Sequence, residues 1–196
     1  MKIRRVKPEI RVLGVDDGVF IPHSKGVATV VGVVYRGGYW LDGAMRTEVK
    51  IDGMDATEKI ASMITSSPHY DQLRVVMLNG VTFAGFNVVD IKKLFERVHL
   101  PVITVTREKP DFDDIRRALR NLSEYEKRLE AMENAGKIIE VCTRDAEQAV
   151  YVQIAGISEK DAEKILKSTS TRSNIPEALR VAHIIASGLT QSKEKI

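Results

Sequence analysis

Two short segments of this chain are too apolar to show either face to water. Arg74 to Leu78 ends in Val-Val-Met-Leu, and Pro101 to Thr106 reads Pro-Val-Ile-Thr-Val-Thr. Strands of this kind belong to a sheet covered on both sides. Between them Ile91, Leu94, Phe95 and Val98 fall at i, i+3, i+4 and i+7, the stripe of an amphipathic helix. Strand, helix, strand over this span is a βαβ unit with a parallel pair. An α/β architecture with helices on both faces follows.

The preceding segment has a different pattern. Ile10 to Asp16 reads as a strand running into the turn triplet Asp16-Asp17-Gly18. Val27 to Tyr35 is a Val-rich strand, Arg36-Gly37-Gly38 a hairpin turn, and Tyr39 to Ile51 a third strand interrupted near Asp42-Gly43. These three predict an antiparallel meander. Asp55-Ala-Thr-Glu58 has the form of a capping box opening a helix with Ile60, Met63 and Ile64 inward.

Downstream, Ile115, Leu119, Leu122, Leu129 and Met132 predict a long helical stretch stopped at Gly136. Lys137 to Val141 and Ala149 to Ala155 read as strands. Ser158-Glu-Lys-Asp161 caps a short helix, and Asn174-Ile-Pro-Glu177 caps a last one reaching about Gly188. The polar tail from Gln191 is expected to fray. The expected whole is one domain over residues 1–196, a mixed sheet whose three-stranded meander is extended by parallel strands.

Composition narrows the class. The one cysteine, Cys142, excludes an internal disulfide framework and a cysteine zinc cluster, and reads as a core residue. The nine-residue run Val27 to Tyr35 is far below the ~18 needed to cross a bilayer, so no membrane partner is expected. The basic start, Lys2, Arg4, Arg5 and Lys7, leads into no signal-peptide core, and a cytoplasmic protein is the default. A net charge of +3 permits a nucleic-acid partner without arguing for one.

Three oxygen-bearing side chains fall at predicted strand ends. Asp16 closes the first strand, Asp52 follows the third, and Asn79 ends the fourth, in Leu78-Asn79-Gly80. An ionised Asp near a sheet centre is costly unless paired, hydrogen-bonded or metal-bound. Adjacent strand residues face opposite ways, so only one of Asp16 and Asp17 serves a given site. Local turn bonding explains each acid equally well on spacing alone. If the ends converge, the hard oxygens suit Mg²⁺ or Mn²⁺, and the matching chemistry is displacement at phosphorus. In a βαβ unit the carboxyl ends of the parallel strands border the ligand crevice, which brings in Gly80 beside Asn79.

Other residues carry weaker signals. His183 lies beside an apolar stripe of the last helix and reads as a core histidine, a metal ligand or an acid/base. Arg107 and Lys109 follow the fifth strand, within reach of a phosphate. Gly80-Val-Thr-Phe-Ala-Gly85 matches neither a P-loop nor a dinucleotide fingerprint, and reads as a tight turn into a helix whose N-terminus could accept an anion. Tyr39, in the aromatic turn Tyr35-Arg-Gly-Gly-Tyr-Trp40, is a candidate for stacking on a base.

Taken in order, several of these segments resemble endonuclease V, and more closely a family of small relatives sometimes named deoxyuridine endonucleases. Leu13-Gly-Val-Asp-Asp17 resembles the motif carrying the family's first catalytic Asp, at Asp16. Ile51-Asp52-Gly53 occupies the place of a strand-end Glu, and the stretch from Val76-Met-Leu-Asn79-Gly80 to Thr106 puts the second catalytic Asp position at Asn79. The family's following basic residue falls near Arg107 or Lys109. Tyr151-Val-Gln153 and Ile175-Pro-Glu-Ala-Leu-Arg-Val-Ala-His183 resemble the C-terminal segment, with the metal-side His at His183. The resemblance covers about residues 10 to 188. It implies the ribonuclease H-like fold and Mg²⁺- or Mn²⁺-dependent cleavage of DNA (or RNA) next to a deaminated or modified base, uracil in DNA being one candidate. Two departures stand out: Asn79 is neutral where the family has Asp, and Asp52 is shorter than Glu.

The leading expectation is therefore a metal-dependent nuclease. Asp16, Asp52 and Asn79 would hold the cation, His183 would ligate or move a proton, and Arg107, Lys109, Tyr39 and Gly80 would contact substrate. The rival is a non-catalytic nucleic-acid-binding protein on the same fold, which Asn79 favours. A third, weaker reading is an enzyme acting on a small phosphate compound.

Overall fold

The structure, a computed structural model, describes residues 6–145 and 148–190. Lys2, Arg4, Arg5 and the tail from Gln191 lie outside them. The meander is present: β1 (Arg11–Asp17), β2 (Val27–Arg36) and β3 (Trp40–Lys50) pair antiparallel. The interruption expected near Asp42-Gly43 is a bulge within a continuous strand. Val34 faces Gly43 and Tyr35 faces Leu41, so Asp42 is the extra residue, and its carboxylate accepts from Arg11 Nε at 3.0 Å.

Helix α1 (Ala56–Thr65) follows, then β4 (Val75–Asn79), a small hairpin of β5 (Thr82–Phe83) and β6 (Asn87–Val88), α2 (Ile91–Val98) and β7 (Val102–Thr106). Both β4 and β7 run parallel to β1, as the apolar strands require. The long helical stretch is two helices, α3 (Phe112–Leu119) and α4 (Tyr125–Glu133), broken where Glu124 takes a left-handed φ of 57°. The chain then forms β8 (Ile139–Cys142), β9 (Ala149–Ala155), α5 (Glu159–Thr169) and α6 (Glu177–Thr190).

Among the described residues seven strands form one sheet, ordered β3-β2-β1-β4-β7-β9-β8, with β9 antiparallel to β7 and β8 antiparallel to β9. Residue alternation along β1 assigns its two faces. Leu13 and Val15 pack with α1 and α2, whereas Val12 packs with α5 and α6. Gly14 faces α6 so closely that a Cβ there would strike the backbone of Ala178. With Ala178, Ala182 and Ala186 wholly buried, α6 lies directly on β1 and carries its outer end toward Asp16.

Three local expectations need correction. Asp55 precedes α1 but makes no side-chain cap; it accepts from Lys50 N at 3.1 Å and Asn87 Nδ2 at 2.7 Å. The cap comes from across the chain, where buried Asn87 Oδ1 accepts from Ala56 N at 3.0 Å. The N-terminus of α2 is not open to an anion, because Asp90 accepts from Lys92 N and Lys93 N. Cys142 is exposed on the edge strand β8 rather than buried in the core. No helix of the described residues is long and apolar enough to cross a membrane.

Candidate active site

Asp16 is the sixth residue of β1 and points to the α6 face, two residues beyond Gly14. It is 2% exposed. Parallel pairing of β1 with β4 brings Asn79 alongside, and Asn79 Nδ2 donates to Asp16 Oδ1 at 2.9 Å. The Asp17 amide donates to the same oxygen at 2.9 Å. From α6, His183 Nδ1 lies 2.9 Å from Asp16 Oδ2. The His183 side chain is 65% exposed. When Asp16 is ionised its Oδ2 only accepts, so Nδ1 donates in this contact and Nε2 is turned outward.

Burial pushes the Asp16 carboxyl above the usual carboxylate range, against the opposing pull of Asn79, the Asp17 amide and His183. Asp17 is on the other face, where its Oδ2 accepts from Ala84 N at 2.6 Å. Burial raises its pKa to about 6; the Ala84 amide offsets part of this and the Asp16 charge adds to it. No Lys or Arg of the described residues pairs with either acid.

Asp52 lies at the same end of the sheet, two residues past β3, but in a separate set of bonds. Its φ is 51°, its amide donates to Ala84 O at 2.9 Å, and its Oδ1 accepts from Phe86 N at 2.9 Å. His23 Nδ1 is 3.3 Å from Oδ2. Behind this turn is Arg128, 1% exposed, which donates to Asp52 O at 2.7 Å, Gly53 O at 2.8 Å, Ser123 O at 2.9 Å and Phe86 O. Among the described residues no hydrogen bond or ion pair joins Asp52 to Asp16, Asn79 or His183. The reversal at Asp52 thus gives that carboxylate partners of its own, the Phe86 amide on Oδ1 and His23 on Oδ2, apart from the bonded set at Asp16.

The candidate substrate residues divide between the two ends of the sheet. Gly80 follows Asn79 with a φ of 81°, and a side chain there would meet only Thr106 Cγ2, at 3.5 Å, so the space beside Asn79 is open. Arg107 and Lys109 follow β7 at the same end. Tyr39 is at the other end: β1 begins at Arg11 opposite Arg36, just before the Tyr39 turn. It is 67% exposed, tilted against Trp40 at 5.5 Å, and is not joined to the Asp16 centre. Two residues were missed in the sequence. Asn87 lies between the glycine turn and the next helix, and Arg128 lies within the predicted helical stretch with no mark of its burial.

No group of three or more His, Cys, Asp or Glu side chains among the described residues could hold a metal. The donors at Asp16 nevertheless fit one hard cation. Mg²⁺ is commonly held by one or two protein oxygens, with water and substrate phosphate completing the shell. Asp16 supplies a buried carboxylate that no cationic Lys or Arg neutralises, and Asn79, whose Nδ2 faces it here, would present its amide oxygen to a cation with the amide reversed.

A sheet of this order, antiparallel on one side of β1 and parallel on the other, places the chain in the ribonuclease H-like fold class. Endonuclease V of Bacillus subtilis superposes with a TM-score of 0.63 at 10% identity, over 94% of this chain and 82% of that one. An endonuclease V of Ciona intestinalis, solved with a 24mer DNA containing an inosine followed by a ribo-adenosine, gives 0.58 at 15% identity, over 88% and 82%. Within that class the chain belongs to the endonuclease dU family, whose model matches residues 8–190. A UPF0215 protein of Methanopyrus kandleri is 51% identical over 98% of both chains. A protein of unknown function from Archaeoglobus fulgidus superposes with a TM-score of 0.83 at 38% identity, over 93% of this chain and 99% of that one.

Proposed function

We propose that this protein is a Mg²⁺- or Mn²⁺-dependent endonuclease that cuts a phosphodiester near a deaminated or modified base, with uracil in DNA as first candidate. The observation that carries this reading is the bonded set Asn79–Asp16–His183 at the carboxyl ends of β1 and β4. Asp16 and the Asn79 amide oxygen would hold the cation. When bound, it would offset charge on the scissile phosphate and polarise a phosphoryl oxygen. Asp16 also fixes the His183 tautomer, as a carboxylate does for a catalytic imidazole. His183 Nε2 then takes the proton from the attacking water as the new P–O bond forms and the old one breaks. Arg107 and Lys109 would steady the phosphate from the β7 end. Taking a base out of the stack costs a few kcal/mol, least at a mismatched or damaged one, which favours a lesion as target.

The test is nicking of labelled oligonucleotides carrying uracil or hypoxanthine in Mg²⁺, Mn²⁺ or EDTA, beside the Asp16→Asn protein. Metal-dependent nicking is expected, lowered about 10³-fold or more by Asp16→Asn, because one change removes a ligand and frees the imidazole. The variant should melt no lower than wild type, since a desolvated charge is removed. Absence of nicking with every metal, with binding retained in EDTA, would replace this reading by a non-catalytic nucleic-acid binder, to which the neutral Asn79 points.

A further inference from the structure

Among the described residues six cations, Lys7, Arg107, Arg144, Lys164, Lys167 and Arg172, line one run of surface. Three adjoining cavities of about 580, 470 and 430 Å³ share lining residues. Arg144 joins the first to the second, and Gln148, Ser173 and Asn174 join the second to the third. Together they form a groove. It starts at Tyr39 in the β2–β3 turn, passes the loop between α5 and α6, and reaches Arg107 at the end of β7, on the side of the sheet where Asn79 lies.

The lining is strongly one-signed. Lys7, Lys164, Lys167 and Arg144 border the first cavity with no carboxylate, Arg172 borders the second, and Arg107 the third. Asp145, in the second, is the carboxylate among the described lining residues. Lys167 pairs with Glu163 at 2.7 Å, and the Arg144 guanidinium donates to Thr171 O. Among the described residues Lys7, Arg107, Arg144, Lys164 and Arg172 make no ion pair. In a chain with a net charge of only +3, this clustering is an electrostatic footprint.

An exposed ring, Tyr39, stands at the far end. Cations suit phosphates, and an exposed ring suits an unpaired base. We infer that this groove binds a single-stranded DNA segment, with phosphates along Lys164, Arg144 and Arg172 and a base on Tyr39. The inference rests on the nuclease reading only in its choice of ligand: the strand leaving the groove at Arg107 arrives at the Asp16 end of the sheet. It gives Tyr39 a role away from the cut.

The experiment is fluorescence anisotropy of labelled dT20 in EDTA, which contains no target base and needs no cation. Titrations at several salt concentrations give the slope of log affinity against log salt, about 0.7 per phosphate neutralised on a single strand. Arg144→Gln/Lys164→Gln should lower that slope by about 1.4 and loosen binding at least several-fold. Lys59→Gln/Lys92→Gln, on exposed faces of α1 and α2, removes equal charge and should leave the slope unchanged. Tyr39→Ala should loosen binding about fivefold or more at unchanged slope. Equal losses in both charge pairs, or no loss in the groove pair, would overturn the groove. Nicking of a uracil oligonucleotide by the same proteins separates the two readings. A groove effect without nicking sinks the nuclease alone, and nicking without a groove effect sinks the groove alone.

Discussion

Asp16 and Asp52 sit at the same end of the sheet, yet the fold treats them oppositely. Around Asp52 the Phe86 amide holds one carboxylate oxygen, the exposed His23 lies 3.3 Å from the other, and buried Arg128 spans four carbonyls from three segments behind the turn. Asp16 is buried further than its three donors repay in solvation, and its oxygen Oδ2 is bonded to an exposed histidine. The first arrangement is what a stable turn needs. The second costs stability and turns an imidazole toward solvent, which is the pattern of a site retained for chemistry. Similar strand-end acids in a sequence can thus belong to a scaffold or to a reaction, and their donors tell which.

Arg128 offers the largest way to break the comparison. Arg128→Met removes one buried guanidinium and leaves the carbonyls of Asp52, Gly53, Phe86 and Ser123 without it. Stranding buried acceptors of this kind should cost about 3–5 kcal/mol. For a chain of this size that is a fall in Tm of roughly 6–20 °C, measured by thermal melting. A variant that melts like wild type would show that the turn at Asp52 is held by something else, and Asp52 would return as a free ligand.

Much of the fold could be read in the chain, because burial on both faces and helical spacing are pairwise signals. The meander, the βαβ unit and the Ser158 cap of α5 all follow from residues close in sequence. What escaped depends on distant partners. Asp55 has the right spacing for a cap, but Asn87, thirty-one residues from Ala56, takes the helix N-terminus instead. Arg128 is a cation on a helix face by pattern, and becomes a core residue only because three carbonyls of distant segments, with that of Ser123 five residues back, surround it. At the site, Asp16 and Asn79 were legible as strand-end residues and His183 as a residue of the last helix; that the three bond together was not. That Asp52 stands apart was not, since a left-handed residue outside glycine leaves little mark in sequence.

A smaller effect tests the reactive side. His183→Gln keeps a hydrogen-bonding group near Asp16 but has no ring nitrogen to take a proton. Nicking should fall about 10²-fold, the lower range for one general base, while the melting temperature stays within about 2 °C because the side chain is largely exposed. A loss of Tm matching that of Arg128→Met would make His183 a structural strut and erase the contrast with Asp52.

The smallest expected effect asks whether Asn79 marks a weakened metal site or a settled one. Asn79→Asp removes the donor to Asp16 Oδ1 and sets a second carboxylate against a buried, under-compensated one. Without metal the two like charges repel, and the variant should melt a few degrees lower. A divalent cation relieves that repulsion, so the Mn²⁺ concentration for half-maximal nicking should drop about tenfold and added Mn²⁺ should restore the melting temperature. If Mn²⁺ stabilises wild type and variant equally, the cation does not bind between residues 16 and 79. The Asp16 centre would then be a proton-transfer pair alone, and the metal reading would have to move elsewhere in the chain.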